Sequence, residues 1–426
     1  MQNSQWIASL IIENVLKGHN LDKSFQLILQ KNGKTIFERN QSQIKDLAYG
    51  ALRFLGQSKF IINKLVKRKV ENRSLEALLH IALFQINHER SNDFTIVDQA
   101  VNASKKIDPK KSAFVNAILR NFLRNKKIFN DQVYSDESAR FNYLDWWISK
   151  LKEEYPNDWE SVLNIGNLHP PFSLRVNLKN INISDYKNIL SNQGIDYFVL
   201  GEEALIFKKP MGVNKIPGFL EGNVSVQDYG AQLAAHILDL KENHNVLDAC
   251  AAPGGKSCHM LELKNIKLTS VEIDEARAKK IEENFNRENL VARVINAKVD
   301  INNIWWDKKL FDRILVDAPC SSSGIVRRHV DIKWLRRSSD LTYFSNIQFN
   351  LLVAAWPMLK TKGKLLYVTC SVFSDENIKV IERFKAKIKG VRELDISFPK
   401  NIKVINNQLI PTDFHDGLFY ALLEKQ

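Results

Sequence analysis

Cysteine is scarce in this chain: four among 426 residues, Cys250, Cys258, Cys320 and Cys370, all in the C-terminal half. No two stand as a CxxC pair, so a zinc site is not expected. So few thiols in so long a chain fit a reducing cytosol. No stretch reaches the ~18 consecutive apolar residues that a membrane-crossing helix needs. Met1 to Lys17 has no basic n-region, no uninterrupted apolar core and no small-residue cleavage site, so no signal peptide is read there. Internal repeats and low-complexity segments are missing too. The expectation is a cytoplasmic monomer with no membrane contact and no metal.

What is present is length and positive charge. The 426 residues predict several domains, each long enough to bury its own core. Hydrophobic residues make up 44% and charged residues 26%, ordinary for a globular protein, but the net charge is +13. Such a surplus attracts polyanions, which makes nucleic acid the first partner to consider.

The chain divides into three expected regions. Residues 1–130 read as an all-helical bundle. Ile44, Leu47, Ala48, Ala51, Leu52 and Leu55 follow the 3-4 spacing of one helix face. Leu75, Leu78, Leu79, Ala82 and Leu83 form a second such run. Phe114, Val115, Ile118, Leu119, Phe122 and Leu123 form a third. Bases crowd the polar positions, among them Lys64, Lys67, Arg68, Lys69, Lys105, Lys106, Lys110 and Lys111. Residues 131–239 read as connecting helices followed by a small α+β subdomain, with a strand from Phe172 and a helix from Ser184. Residues 240–426 alternate short apolar runs (246–247, 268–273, 291–295, 313–316 and 364–369) with helical stretches. That alternation predicts a doubly wound parallel sheet of Rossmann type, which binds ligands beyond the carboxyl ends of its strands.

Three strand ends carry chemistry. After the first strand comes Asp-Ala-Cys-Ala-Ala-Pro-Gly-Gly-Lys, ending at Lys256. Small residues there let a ligand approach the backbone, and a helix N-terminus follows. It is not a phosphate loop, because the first glycine of GxxxxGK[ST] is missing. The second strand ends in Val-Glu272-Ile-Asp274, an acid about twenty residues beyond the turn, where this fold bonds a ribose. Asp274 reads as a helix cap. Later strands end in Asp317-Ala-Pro-Cys320-Ser and Thr-Cys370-Ser, which puts two cysteines on the ligand-binding edge. A lone cysteine is usually a small buried hydrophobe, a reading that two such strand ends strain.

Together these motifs, in this order and spacing, resemble the signatures of the Nop/Sun family of RNA 5-methylcytosine methyltransferases, over roughly residues 140–426. The N-terminal helices resemble the antitermination factor NusB. The basic segment Arg327 to Arg337 is similar to one that follows the Asp-Ala-Pro-Cys motif in bacterial members of the family. The resemblance implies a class I methyltransferase domain using S-adenosylmethionine on small-subunit (16S) ribosomal RNA. By position it implies that Cys250, Ala251, Ala252, Pro253, Gly254, Gly255 and Lys256 wrap the methionine part. Glu272 takes the ribose, where the family more often has Asp. Asp317 lies beside the cofactor and the base. Cys370 is the nucleophile, and Cys320 assists product release. Lys298 stands where the family has an adenine-side acid, so Asp300 is taken as its substitute.

The chemistry explains the residue types. A thiolate adding to carbon 6 turns cytosine into an enamine that carbon 5 can use against a methyl donor. The site should therefore lower the pKa of Cys370 with nearby positive charge. Segment 327–337, with Trp334, is expected to contact RNA backbone and stack on bases. Two rivals stand beside this reading. A DNA-type enzyme would use Cys320 as nucleophile, and a non-catalytic RNA-binding factor would need neither cysteine. Transfer RNA is the alternative substrate.

Overall fold

The computed structural model describes residues 4–32, 34–88 and 92–426. They form two compact units. The first comprises residues 1–169 together with 326–337, and the second residues 170–325 together with 338–426.

The first unit is helical. The run Ile44, Leu47, Ala48, Ala51 and Leu52 lies on the helix Lys34–Arg53 and is wholly buried, with Leu55 opening the next helix. The second run lies on Arg73–His88 and the third on Ser112–Arg124. The eight basic residues named above are exposed: Lys64, Lys105 and Lys106 on the polar sides of their helices, Lys67, Arg68 and Lys69 in the loop after Leu65, and Lys110 and Lys111 in a short turn before Ser112.

Segment 327–337 is in part a plug in the first unit: Arg327 and Lys333 are buried, Arg328 and Arg336 half-buried, and His329 and Arg337 exposed. Val330 is buried in the cluster formed by Ile7, Leu47 and Leu52. Lys333 is fully buried, its ammonium donating to the Arg53 carbonyl at 2.8 Å and to Asn167 Oδ1 at 2.6 Å. Trp334 Nε1 donates to the Leu52 carbonyl at 2.7 Å, and Asp331 Oδ2 accepts from the Leu21 amide at 2.9 Å. A periodicity reading scores Lys and Arg as polar. Their apolar stems bury readily when carbonyls at the end satisfy the charged head.

The second unit holds two sheets. The small one, with strands β1 (Phe172–Val176), β2 (Tyr197–Leu200), β3 (Ala204–Phe207) and β4 (Val224–Val226), has the antiparallel order β2-β3-β1-β4 and is packed by the helix Ile183–Asn192. The large sheet begins with β5 (Asn245–Asp248), β6 (Lys267–Glu272), β7 (Arg293–Asn296), β8 (Phe311–Asp317) and β9 (Leu359–Thr369). These five are parallel in the order β9-β8-β5-β6-β7. The sheet then continues past β9 with strands the sequence reading missed: β10 (Val391–Leu394), β11 (Val404–Ile405), β12 (Gln408–Leu409) and β13 (Leu418–Lys425). β13 runs antiparallel to β9, so the sheet is mixed rather than parallel throughout. Alternation sends Val246, Leu268 and Leu366 to one face and Leu247, Val271 and Leu365 to the other, each into its own core. A strand buried on both faces reads as a continuous apolar run, as observed for β8.

Candidate active site

Strand order reverses at β5: the chain steps outward through β6 and β7, then returns to β8 on β5's other side. Such a switch point leaves a crevice at the carboxyl ends of the strands. Asp248, Glu272, Asp317 and Thr369 are the last residues of β5, β6, β8 and β9. The sequence-predicted site residues lie at those ends or within eight positions past them, apart from Asp300, which follows the end of β7 by four.

Past β5, residues Ala249 to Gly254 make a tight turn containing a cis Ala252–Pro253 bond, and the helix Gly255–Leu263 follows. Gly254 has φ of 100°, and a Cβ there would stand 3.2 Å from Ile281, so only glycine sits there without strain. Two buried polar contacts fix the turn from below. Ser257 Oγ donates to Asp248 Oδ2 at 2.6 Å, and Arg175 Nη1 of β1 donates to the Gly255 carbonyl at 3.0 Å. Arg175, fully buried and paired with Glu262, was missed by the sequence reading, since one arginine in a short strand carries no signal. Burial pushes the Asp248 carboxyl up to about 7, against the hydrogen bond from Ser257. Its other oxygen, Oδ1, is buried with no hydrogen-bond partner.

Glu272 is buried beside the turn. Oε2 accepts from the Ala252 amide at 3.3 Å and Oε1 from the Asp274 amide at 3.1 Å. Asp274 caps the next helix through the Arg277 amide at 2.9 Å, as expected of it. Asp300 lies four residues past β7, where Oδ1 accepts from the amides of Asn302 and Asn303 and holds a local turn. Lys298 is exposed beside it.

The other half of the site joins β8 to β9. Asp317 pairs with Val368 in the ladder, which sets the two following loops side by side. Lys256 Nζ reaches across from the turn to Asp317 Oδ2 at 2.6 Å. Burial disfavours the ammonium, but Asp317 outweighs it and keeps Lys256 charged. Cys320 Sγ and Cys370 Sγ are 3.3 Å apart. The hydrogen bond from Cys320 lowers the Cys370 thiol below its ordinary range, against burial and against Asp317; a contact from Ser322 and the charge of Lys256 add to it. Cys320 is driven the opposite way, first by donating that bond and then by burial. The expected lowering of Cys370 is therefore present. Its leading cause is a neighbouring thiol, with the positive charge of Lys256 a lesser contributor.

Glu376 and Asn377 hold the two loops together, and the sequence reading found neither. Fully buried Glu376 accepts from the Ser321 amide at 2.7 Å, Ser321 Oγ at 2.5 Å and Ser371 Oγ at 2.6 Å. Asn377 donates to the Ser371 carbonyl at 2.9 Å and accepts from Thr369 Oγ1 at 2.5 Å. A short acidic stretch after a strand looks like helix capping, and nothing in its spacing marked it otherwise.

This donor set fits a zwitterionic, sulfonium-bearing nucleoside. Asp248 Oδ1 offers a buried acceptor that an ammonium group would suit, and the helix that opens at Gly255 offers amides that would suit a carboxylate.

Comparison with known proteins agrees over the whole length. A family model described as 16S rRNA methyltransferase RsmB/F matches residues 235–424. Its ferredoxin-like domain model matches 143–214, and that of the NusB family matches 2–124. The chain is 35% identical over 438 residues to ribosomal RNA small subunit methyltransferase B of Pseudomonas syringae, covering 99% of this chain and 97% of that protein. It is 34% identical to the Vibrio vulnificus protein of the same name, covering 98% of each. The crystal structure of PH0851 shares the fold, with a TM-score of 0.78 at 23% identity over 100% of this chain and 99% of the other.

Proposed function

Because the chain belongs to the RsmB/F family of 16S rRNA methyltransferases, we propose that it methylates carbon 5 of a cytosine in that RNA through a covalent bond from Cys370. The family uses S-adenosylmethionine, which supplies an electrophilic methyl group on sulfur. Residues 250–256 would hold its methionine part, Glu272 the ribose and Asp300 the adenine side. The cytoplasm as the place of work is part of this proposal; among the described residues no helix is long and apolar enough to cross a membrane.

The observation that carries the reading is the 3.3 Å contact between two cysteines pushed in opposite directions. A thiolate at Cys370 bonds to carbon 6. The electron pair of the ring double bond moves to carbon 5, which takes the methyl group. Asp317, held by Lys256, is positioned to hydrogen-bond the ring nitrogen or amino group as charge develops there. A base then takes the proton from carbon 5, the C–H pair re-forms the ring double bond, and Cys370 leaves carbon 6 as a thiolate. Cys320, whose thiol is pushed up by the bond to Cys370 and by burial, is the less ready nucleophile of the two; once it has given up its own proton it can be the base for this last step. A stacked base cannot reach such a crevice, so the target is unpaired or flipped out. Bisulfite sequencing of 16S rRNA from cells with and without the gene tests the proposal. One protected cytosine should disappear with the gene, and unchanged protection throughout would refute the assignment.

A further inference from the structure

Away from the methyl-transfer crevice, and sharing no residue with it, three side chains converge in the second unit. Glu203 lies in the turn between β2 and β3, His236 on the helix Tyr229–Ile237 and His259 on the helix Gly255–Leu263. One ligand atom from each lies within 4.8 Å of the others. Glu203 Oε1 is 2.7 Å from His236 Nε2 and 2.8 Å from His259 Nε2. These two short distances differ in kind. His236 meets hydrogen-bond geometry. His259 does not: its side chain is 1% exposed, and neither ring nitrogen has a hydrogen-bond partner. A buried imidazole seldom goes unsatisfied on both sides, because each orphaned nitrogen has lost water and gained nothing. The ring sits close to the carboxylate but is not aimed along a bond to it, as for two ligands facing a common third point. The rings of His236 and His259 stand edge to face at 79°, which brings both nitrogens to the same carboxylate.

We propose that Glu203, His236 and His259 bind one divalent transition-metal ion of the zinc class, with a fourth position open to solvent. Two imidazoles and one carboxylate are a donor set that suits zinc, and three protein ligands leave a vacancy in tetrahedral geometry. Glu203 and His236 also line an open cavity of about 430 Å³ with Tyr229, Leu233 and Phe398, through which the ion and its outer ligand enter. Ligands of a tetrahedral ion at ~2.1 Å stand somewhat farther apart than a hydrogen-bonded pair. His236, 47% exposed, supplies that adjustment by swinging outward. The nearby positive charge of Arg175 is committed to Glu262, Gln227 and the Gly255 carbonyl. The ion would pin the β2–β3 turn to the helix that opens at the cofactor turn, so it positions that helix and takes no part in methyl transfer. Spacing could not reveal the site, because its ligands come from three separate elements.

The test uses the full-length reduced protein, stripped with chelator and titrated with Co²⁺ as a spectroscopic probe, then with Zn²⁺ in competition. One equivalent of cobalt should give saturable visible bands with no near-ultraviolet thiolate charge-transfer band. His236→Gln and His259→Gln should each weaken binding by at least ~10–100-fold. A Cys320→Ser/Cys370→Ser double variant should bind as the wild type does. If His259→Gln fails to fold, the exposed His236→Gln decides alone. The proposal is overturned by the lack of a saturable spectrum, by its persistence in His236→Gln, or by its loss with the two cysteines.

Discussion

At the scale of single residues the two cysteines divide the labour by where the proton sits. Cys370→Ala should abolish methylation and form no adduct while still binding S-adenosylmethionine, whose pocket is untouched. Cys320→Ala should add to the base and transfer the methyl group but release product slowly. Protein should then stay attached to RNA as a slow, nuclease-sensitive band on a denaturing gel. A trapped band in Cys370→Ala and none in Cys320→Ala would reverse the two assignments. The same contact predicts a pH effect. The pKa of Cys370 is lowered chiefly by the Cys320 hydrogen bond, so thiolate persists on the acid side of the ordinary thiol range. Removing that donor raises the pKa, and the acid limb of adduct formation should move to higher pH in Cys320→Ala. Cys320→Ser, which keeps an O–H donor, should move less. Superimposed limbs for wild type and Cys320→Ala would show that Cys320 does not tune the nucleophile.

At the scale of elements, the precision of the site depends on how closely the loops after β8 and β9 approach. Gly324 donates its amide to the Cys370 carbonyl at 2.8 Å, and a Cβ there would lie 2.0 Å from the Gly417 carbonyl oxygen. Gly324→Ala must therefore push the segment after Cys320 away from Gly417, straining the bond by which the Gly324 amide holds the Cys370 carbonyl. A displacement of ~1 Å costs on the order of a hundredfold in rate, so single-turnover methylation should fall by about that much. Calorimetric affinity for S-adenosylmethionine should hardly change, and full activity would mean the loops tolerate separation. This level also shows what the sequence could and could not tell. The parallel strands and the acids and cysteines at their ends were legible, because apolar runs and small-residue turns are local signals. Strand β13 was not: antiparallel pairing at a sheet edge needs long-range contacts that leave no period of their own. Arg175, Glu376 and Asn377 were invisible for a related reason, since each acts through partners distant in sequence or hidden in a stretch resembling a helix cap. Segment 327–337 misled most, its basic residues suggesting solvent where Lys333 and Arg327 are in fact buried.

At the scale of the molecule, affinity for RNA is expected from the exposed bases of the helical unit. Replacing Lys105, Lys106, Lys110 and Lys111 together by Gln should weaken RNA binding. It should also flatten the dependence of binding on salt by up to about three in log–log slope, at ~0.7 per lost phosphate contact. Affinity for S-adenosylmethionine should stay as it was. An unchanged salt slope would place the RNA surface elsewhere. Deleting residues 1–130 is a poorer experiment, because it would strip Val330, Lys333 and Trp334 of the Leu47, Arg53 and Leu52 groups they pack against or bond.

That plug has a consequence for synthesis on the ribosome. The helical unit is translated through residue 169, yet part of its interior is not made until residues 326–337 emerge. At about 5–20 residues per second, the intervening stretch takes on the order of 10–30 s. During that interval the nascent helices lack Val330, which packs with Leu47 and Leu52. The helical unit therefore closes only after residues 170–325 of the second unit have been made, yet before residues 338–426, with β9 and Cys370, complete that unit.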